Sequence, residues 1–254
     1  MLPPIPADEH PLRATGIFKG YGGRPILSGI DLKVTRGSSF ALLGLNGAGK
    51  TTLIKCLLDL CSIDRGSISI FGIDHASSSA RSRLAFVPER FVPPHYLTCR
   101  EFIDLTFSLG GDQYEKDRVA QLFDDLGLEL SVMSRPVGQL SKGMTQKLGL
   151  AACLLISRDL YILDEPMSGL DPVSRIAVKS VLARLNGEGR TLFFTSHVLT
   201  DVEELCSSIA VMHHGEIRFR GTPKELCVQT GQTKLEEAFM RCLDDAEPEI
   251  AGRR

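Results

Sequence analysis

The chain has 254 residues, 43% of them hydrophobic and 24% charged, with a formal net charge of −2. That composition fits an ordinary globular protein, long enough for one large α/β domain with an inserted helical lobe. Lysines and arginines are scattered rather than gathered into a basic stripe, which argues against a nucleic-acid partner.

Seven cysteines, an odd number with no C-x-x-C pair, read as reduced core or surface thiols of a cytosolic protein. Met1-Leu2-Pro3-Pro4-Ile5-Pro6 has no apolar core, so no signal peptide is expected. The longest apolar run, Leu148 to Ile156, is about half of the ~20 residues that a membrane-spanning helix needs.

Residues 1–11 read as a proline-rich tail. Ile30, Leu32 and Val34 alternate with Asp31, Lys33 and Thr35, as on a half-buried strand, and Ile68 and Ile70 alternate with Ser67 and Ser69 in the same way. Between them, Ser39 to Leu43 reads as a buried strand and Thr52 to Leu58 as a helix. The intervening Gly44-Leu45-Asn46-Gly47-Ala48-Gly49-Lys50-Thr51 matches the phosphate-loop pattern G-x-x-x-x-G-K-[ST]. Its glycines let backbone N–H groups turn inward toward phosphate oxygens at a helix N-terminus. Gly44, Asn46, Gly47, Ala48, Gly49, Lys50, Thr51 and Thr52 are therefore expected to bind a nucleoside triphosphate, Lys50 at the terminal phosphates and the Thr51 hydroxyl on Mg²⁺.

From about 91 to 150 the pattern turns helical. Thr98-Cys99-Arg100-Glu101 is a capping box that opens a helix with Phe102, Ile103, Leu105 and Phe107 as its core stripe. Val119, Leu122, Phe123 and Leu126 form a second stripe ended by Gly127. Ser141 in Leu140-Ser141-Lys142-Gly143-Met144 is placed to cap a third helix, so that its hydroxyl and the following N–H groups offer a second anion site. Leu160-Tyr161-Ile162-Leu163-Asp164-Glu165-Pro166 is an apolar strand ending in two carboxylates, a costly pairing unless a cation or a reaction needs it. Beside a phosphate loop, Asp164 is expected to hold Mg²⁺ and Glu165 to act as general base on the attacking water. Asp171-Pro172 starts another helix as N-cap and first helical residue. Thr191 to Phe194 reads as a strand, and Ile209–Met212 and Glu216–Phe219 as a hairpin with His213 and His214 in its turn. Thr222-Pro223-Lys224-Glu225 caps a short helix, and 244–254 read as a polar, frayed end.

Taken in order, these motifs resemble the nucleotide-binding subunits of ATP-binding cassette (ABC) transporters, over roughly residues 12–240. Leu140 to Met144 is similar to the family's LSGGQ signature, with Lys142 at one of the two glycine positions and Met144 at the glutamine position. The resemblance implies a P-loop NTPase fold with a mostly parallel sheet, an antiparallel β subdomain and an inserted helical subdomain. It implies that Ser141 and Gly143 bind the γ-phosphate of ATP held by a second ATPase subunit, in a homodimer or a dimer with a related chain. Tyr21 resembles the aromatic residue that stacks on adenine, Ser168-Gly169-Leu170-Asp171 the D-loop, and His197 the switch histidine that contacts the γ-phosphate and helps fix Glu165 and the water.

Glu89 stands where the general family has a glutamine. Glu89, the Ser-Lys-Gly-Met signature and Leu235-Glu236-Glu237-Ala238-Phe239 together resemble the type-2 exporter branch. The resemblance implies ATP hydrolysis with Mg²⁺ at the cytoplasmic face of the membrane, powering a separate transmembrane permease subunit. An importer subunit and a soluble, non-transport cassette ATPase are the alternatives.

Overall fold

The computed structural model describes residues 9–244, so the expected tails over 1–11 and 244–254 lie outside the described residues except for 9–11 and for Asp244, which ends a helix. Residues 9–11, assigned to the N-terminal tail from sequence, are already tied down. Glu9 accepts a hydrogen bond from the Arg36 N–H and Pro11 one from the Phe71 N–H. The chain divides into two compact units, one made of its beginning and end (up to Arg81 and from Thr195) and one made of Ser82–Phe194. Elements are numbered along the whole chain.

The first unit opens with β1 (Leu12–Tyr21) and β2 (Arg24–Val34), followed by β3 (Ser39–Leu43), α1 (Lys50–Leu57), β4 (Arg65–Ile70), β5 (Ile73–Asp74) and the one-turn α2 (Ser78–Arg81). Its later part contains α7 (Leu199–Leu205), β9 (Ser208–His213), β10 (Glu216–Gly221), α8 (Pro223–Thr230) and α9 (Leu235–Asp244). Strands β2-β1-β4-β5 form an antiparallel sheet. On β2 the expected alternation holds, with Ile30, Leu32 and Val34 buried and Asp31 and Lys33 exposed. β1 was not legible as a strand because its register against β2 slips three times, between Ala14 and Ile17, Ile17 and Phe18, and Lys19 and Gly20. The buried positions are Leu12 and Ala14, then Ile17 and Lys19, so the inward face changes across the slip between Ala14 and Ile17 and the strand does not keep a clean period of two. β3, buried at all five positions, runs parallel to β9, and β10 folds back antiparallel to β9. A fully apolar run is what a parallel strand covered on both faces requires.

In the second unit, β6 (Leu84–Val87), β7 (Leu160–Leu163) and β8 (Thr191–Thr195) lie parallel in the order β6-β7-β8. Four longer helices accompany them: α3 (Cys99–Gly110), α4 (Lys116–Asp125), α5 (Lys142–Leu155) and α6 (Pro172–Gly187). The helices expected over about 91–150 thus share this unit with three strands, and α5 continues to Leu155. The Thr98–Glu101 capping box is fully formed, Gly127 ends the α4 region at φ 63°, and Ser141 and Asp171 cap α5 and α6 through the N–H groups of Met144 and Ser174. Val119, Leu122, Phe123 and Leu126 are buried as expected, whereas Leu105 is 41% exposed and is not part of the α3 core stripe. The buried face of α3 is carried by Cys99, Ile103 and Phe107, at spacings of four, and Leu105 lies round the helix from that line. Burying each such large apolar side chain is worth about 1.5–3 kcal/mol.

The described residues correct one further reading. His213 belongs to β9, pairs with Glu216 and is buried, so only His214, at φ 47°, is a turn residue of the hairpin.

Candidate nucleotide-binding site

The candidate phosphate-binding side chains are set by the strand-loop-helix passage from β3 to α1 in the first unit. Buried β3 fixes where the loop begins, and the Ala48 N–H closes a turn onto the Leu45 carbonyl. The Gly215 N–H of the β9–β10 hairpin donates to the Ala48 carbonyl at 3.0 Å, which props the loop from beside it. Gly49 is the N-cap of α1 and has no side chain to close the helix end, so the first turn presents backbone N–H groups at the positive end of the helix dipole. It adopts φ 108°, and a Cβ there would stand 2.8 Å from Met212 Cε and 3.0 Å from the Ile26 carbonyl oxygen. Gly47, at φ 82°, has open space around it. Lys50 is buried, and its ammonium donates to the carbonyls of Gly44 at 2.7 Å and Leu45 at 3.2 Å, folded back over the loop. Asn46 and Thr51 are exposed and Thr52 is half-buried. The donor set of bare helix N–H groups, an ammonium and a threonine hydroxyl fits a polyphosphate with a hard divalent cation.

Tyr21 ends β1 and is 51% exposed, and the Lys19 ammonium lies 5.0 Å from the ring centroid. Also in this unit, exposed His197 follows β8 on a turn in which the Ser196 hydroxyl accepts from the Val198 N–H at 3.0 Å. Tyr21, Gly44–Thr52 and His197 therefore lie in the first unit.

The second unit carries the carboxylates. β6 and β7 pair up to Val87 and Leu163, and the ladder is extended by the Asp164 N–H donating to the Val87 carbonyl at 2.8 Å. Asp164 is thereby buried at the C-terminal edge of β7, Glu165 follows half-buried, and Glu89 stands exposed two residues past the end of β6. Glu165 has φ 50°, a left-handed conformation uncommon for a non-glycine residue, although the residue before a proline ordinarily stays extended. Such strain costs about 1–3 kcal/mol and is characteristic of positions where a side chain must be aimed. The three other non-glycine residues with positive φ among the described residues, Asp59, Phe71 and His214, sit in turns between elements.

Ser141 and Gly143 open α5, and two contacts there were not readable from sequence. The buried Gln146 amide donates to the Pro166 carbonyl at 3.3 Å and ties the start of α5 to the segment directly after Glu165. The Lys142 stem passes alongside Gly169, its Cε 3.3 Å from where a Cβ would sit. Both are contacts through space that no local pattern encodes.

Fold and site define a phosphate-loop α/β protein. The model of the ABC transporter family matches residues 27–168. An ABC transporter ATP-binding protein of Synechocystis is 37% identical over 230 residues, covering 89% of this chain; the chain spans 63% of that relative's length. The lantibiotic transport ATP-binding protein of Streptococcus pyogenes is 34% identical over 231 residues, covering 90% of this chain and 95% of its own. Among solved structures, an ATP-binding subunit of an ABC transporter superposes with a TM-score of 0.84 at 30% identity, covering 91% of this chain and 98% of its own. The chain belongs to the ABC transporter family.

Proposed function

We propose that this chain is the ATP-binding and ATP-hydrolysing subunit of an ABC exporter, working at the cytoplasmic face of a membrane and coupled to a separate permease subunit. The observation that carries the reading is the phosphate loop, built on β3 and α1 with an uncapped helix end and a lysine folded over it, in a chain of this family. No helix among the described residues is long and apolar enough to cross a membrane, consistent with a pore made by another polypeptide. The likeness to a lantibiotic transport ATP-binding protein of Streptococcus supports the transport assignment.

In this reading Lys50 and the loop N–H groups bind the β- and γ-phosphates, Tyr21 stacks on adenine, and Thr51 and Asp164 are the side chains that would hold Mg²⁺. The cation supplies charge neutralisation on the transferred phosphoryl group. Glu165 takes the proton of the attacking water, and His197 orients that water. Glu89 contacts the water or the cation in place of a glutamine. Ser141, Gly143 and the first N–H groups of α5 complete the site of a second ATPase subunit related by a two-fold axis. ATP then favours the closed dimer and hydrolysis releases it, since a ligand shifts an equilibrium only by its differential affinity for the two states.

The test is Glu165→Gln. It removes the base and leaves the phosphate loop intact, so ATP should still bind while phosphate release falls by about 10²–10⁴-fold, and a dimer should accumulate with ATP and Mg²⁺ on size exclusion. Hydrolysis at more than about a tenth of the parental rate would contradict the role of Glu165 as general base.

A further inference from the structure

Two of the seven cysteines meet in space next to Tyr21. Cys56 lies in the last turn of α1 and is fully buried; Cys61, four residues beyond the helix, is half-buried. The chain folds back between them because Asp59 takes φ 58°, after which the N–H groups of Leu60 and Cys61 both donate to the Lys55 carbonyl, at 2.8 and 3.3 Å. This closes the helix end and brings the two sulfur atoms to 3.4 Å.

The next segment is clamped to the end of β1. The Asp64 N–H donates to the Phe18 carbonyl at 2.8 Å, and the Asp64 carboxylate accepts from the Gly20 N–H at 2.7 Å and from the Lys19 ammonium at 3.3 Å. Lys19 also reaches the Ser62 hydroxyl at 3.5 Å and lies over the Tyr21 ring. The nearby Cys61 thiol, together with partial desolvation, holds the Tyr21 phenol above its ordinary pKa. A displacement of Cys61 is therefore passed to Ser62 and Asp64, which hold Gly20 and the Lys19 ammonium against Tyr21.

We propose that Cys56 and Cys61 form a peroxide-sensitive dithiol whose oxidation disturbs Tyr21 and weakens adenine-nucleotide binding. The inference rests on the proposed role of Tyr21 in stacking on adenine. The oxidant is hydrogen peroxide or another hydroperoxide. Burial, and then contact with Cys61, pushes the Cys56 thiol up to about 12, so the first oxidation falls on the accessible Cys61. The Cys61 sulfur attacks one peroxide oxygen, the O–O bond breaks, and the departing hydroxide takes the thiol proton and leaves as water. Cys61 is now a sulfenic acid, and the peroxide has been reduced. The Cys56 sulfur then attacks the Cys61 sulfur, the S–S bond forms, and the sulfenic hydroxyl leaves with the Cys56 proton as a second water. An external dithiol reverses the bond by exchange. Reaching the ~2.05 Å of a disulfide requires the sulfurs to approach by roughly 1.4 Å, and Cys61, beyond the helix end, is the partner free to travel. That movement pulls on the Ser62–Asp64 clamp, and through it on the Lys19 ammonium that lies over the Tyr21 ring.

The test oxidises the full-length protein with hydrogen peroxide, blocks remaining thiols and maps peptides without reduction. The expected result is a Cys56–Cys61 crosslink, reversed by dithiothreitol, with ATP affinity by calorimetry about five- to tenfold weaker, near the low end of what one base stack contributes. Affinity for inorganic triphosphate should stay constant, Cys61→Ser should abolish both the crosslink and the loss, and in Tyr21→Ala oxidation should no longer change ATP affinity. Oxidation of Cys61 to sulfinic acid without a crosslink, or a crosslink that leaves ATP affinity unchanged in the parental protein, would overturn the proposal. Failure of the reduced protein to bind ATP would instead count against the proposed function, and the peptide map would still decide whether the dithiol forms.

Discussion

Gly47 and Gly49 sit two residues apart in the phosphate loop, and replacing each by alanine separates two costs that are usually confounded. Gly47 has φ 82° and nothing within 4 Å of an added Cβ, so Gly47→Ala incurs only the conformational penalty of a left-handed alanine, about 1–2 kcal/mol. Gly49 has φ 108°, further from the left-handed minimum, and its Cβ would also crowd Met212 Cε at 2.8 Å and the Ile26 carbonyl oxygen at 3.0 Å. The methionine methyl can swing away, but the β2 backbone cannot, so an overpacking cost of about 1–2 kcal/mol is added and Gly49→Ala should lose about 2–4 kcal/mol in all. Urea unfolding followed by circular dichroism on both variants measures the difference, and calorimetry with ATP should show the larger binding loss for Gly49→Ala, because it shifts the N-terminus of α1. Equal destabilisation of the two, or a greater loss for Gly47→Ala, would refute the claim that the loop is held by close packing against β2 and β9.

Arg158, 9% exposed, donates to the Asp112 carboxylate at 2.8 Å and to the carbonyls of Gly110 and Ser157. Arg158→Ala leaves these acceptors unpaired and should cost about 2–3 kcal/mol in urea unfolding, toward the low side for a broken buried pair because Asp112 is partly solvated; a change within ~0.5 kcal/mol would show the cluster to be dispensable. Asp171→Asn tests a pH dependence. The Ser174 hydroxyl and N–H hold the Asp171 carboxylate below its ordinary value of 3.8, so the folded state binds a proton there less readily than the unfolded chain. Its stabilising contribution is full above 3.8 and fades as the pH falls through the lower folded value. The gap in melting temperature between parent and variant should therefore be present at neutral pH and close on acidification, and a gap that widened in acid would reverse the assignment.

Much of this architecture was readable because its signals are local. The phosphate loop is a contiguous string, the alternation on β2 and β4 repeats every second residue, and the caps at Thr98, Ser141, Asp171 and Thr222 bond to backbone groups three residues on. What escaped lies between segments or breaks a period. β1 changes its inward face between Ala14 and Ile17, and Leu105 is apolar yet exposed. His213 and His214 are chemically identical neighbours split between a strand and a turn by the pairing of β9 with β10. In the candidate site, the types of Asp164 and Glu165 were visible, but nothing in the string foretold the left-handed backbone of Glu165 before a proline. Nor did it foretell the Gln146 bond to Pro166 or the meeting of Cys56 with Cys61. Those depend on where α5 and the α1 turn are carried by the fold.

The central claim is that this chain hydrolyses ATP only when a second subunit supplies the Ser141 end of α5. Ser141→Arg tests it most directly, with calorimetry and phosphate release measured on the same sample. Ser141 is exposed and lies in the second unit, away in sequence from Gly44–Thr52, so the variant should bind ATP with parental affinity. Its hydrolysis should fall by about a hundredfold, as when one preorganised donor set is removed from a reacting oxyanion. Full hydrolysis by Ser141→Arg would show that catalysis needs no partner signature and would contradict the account.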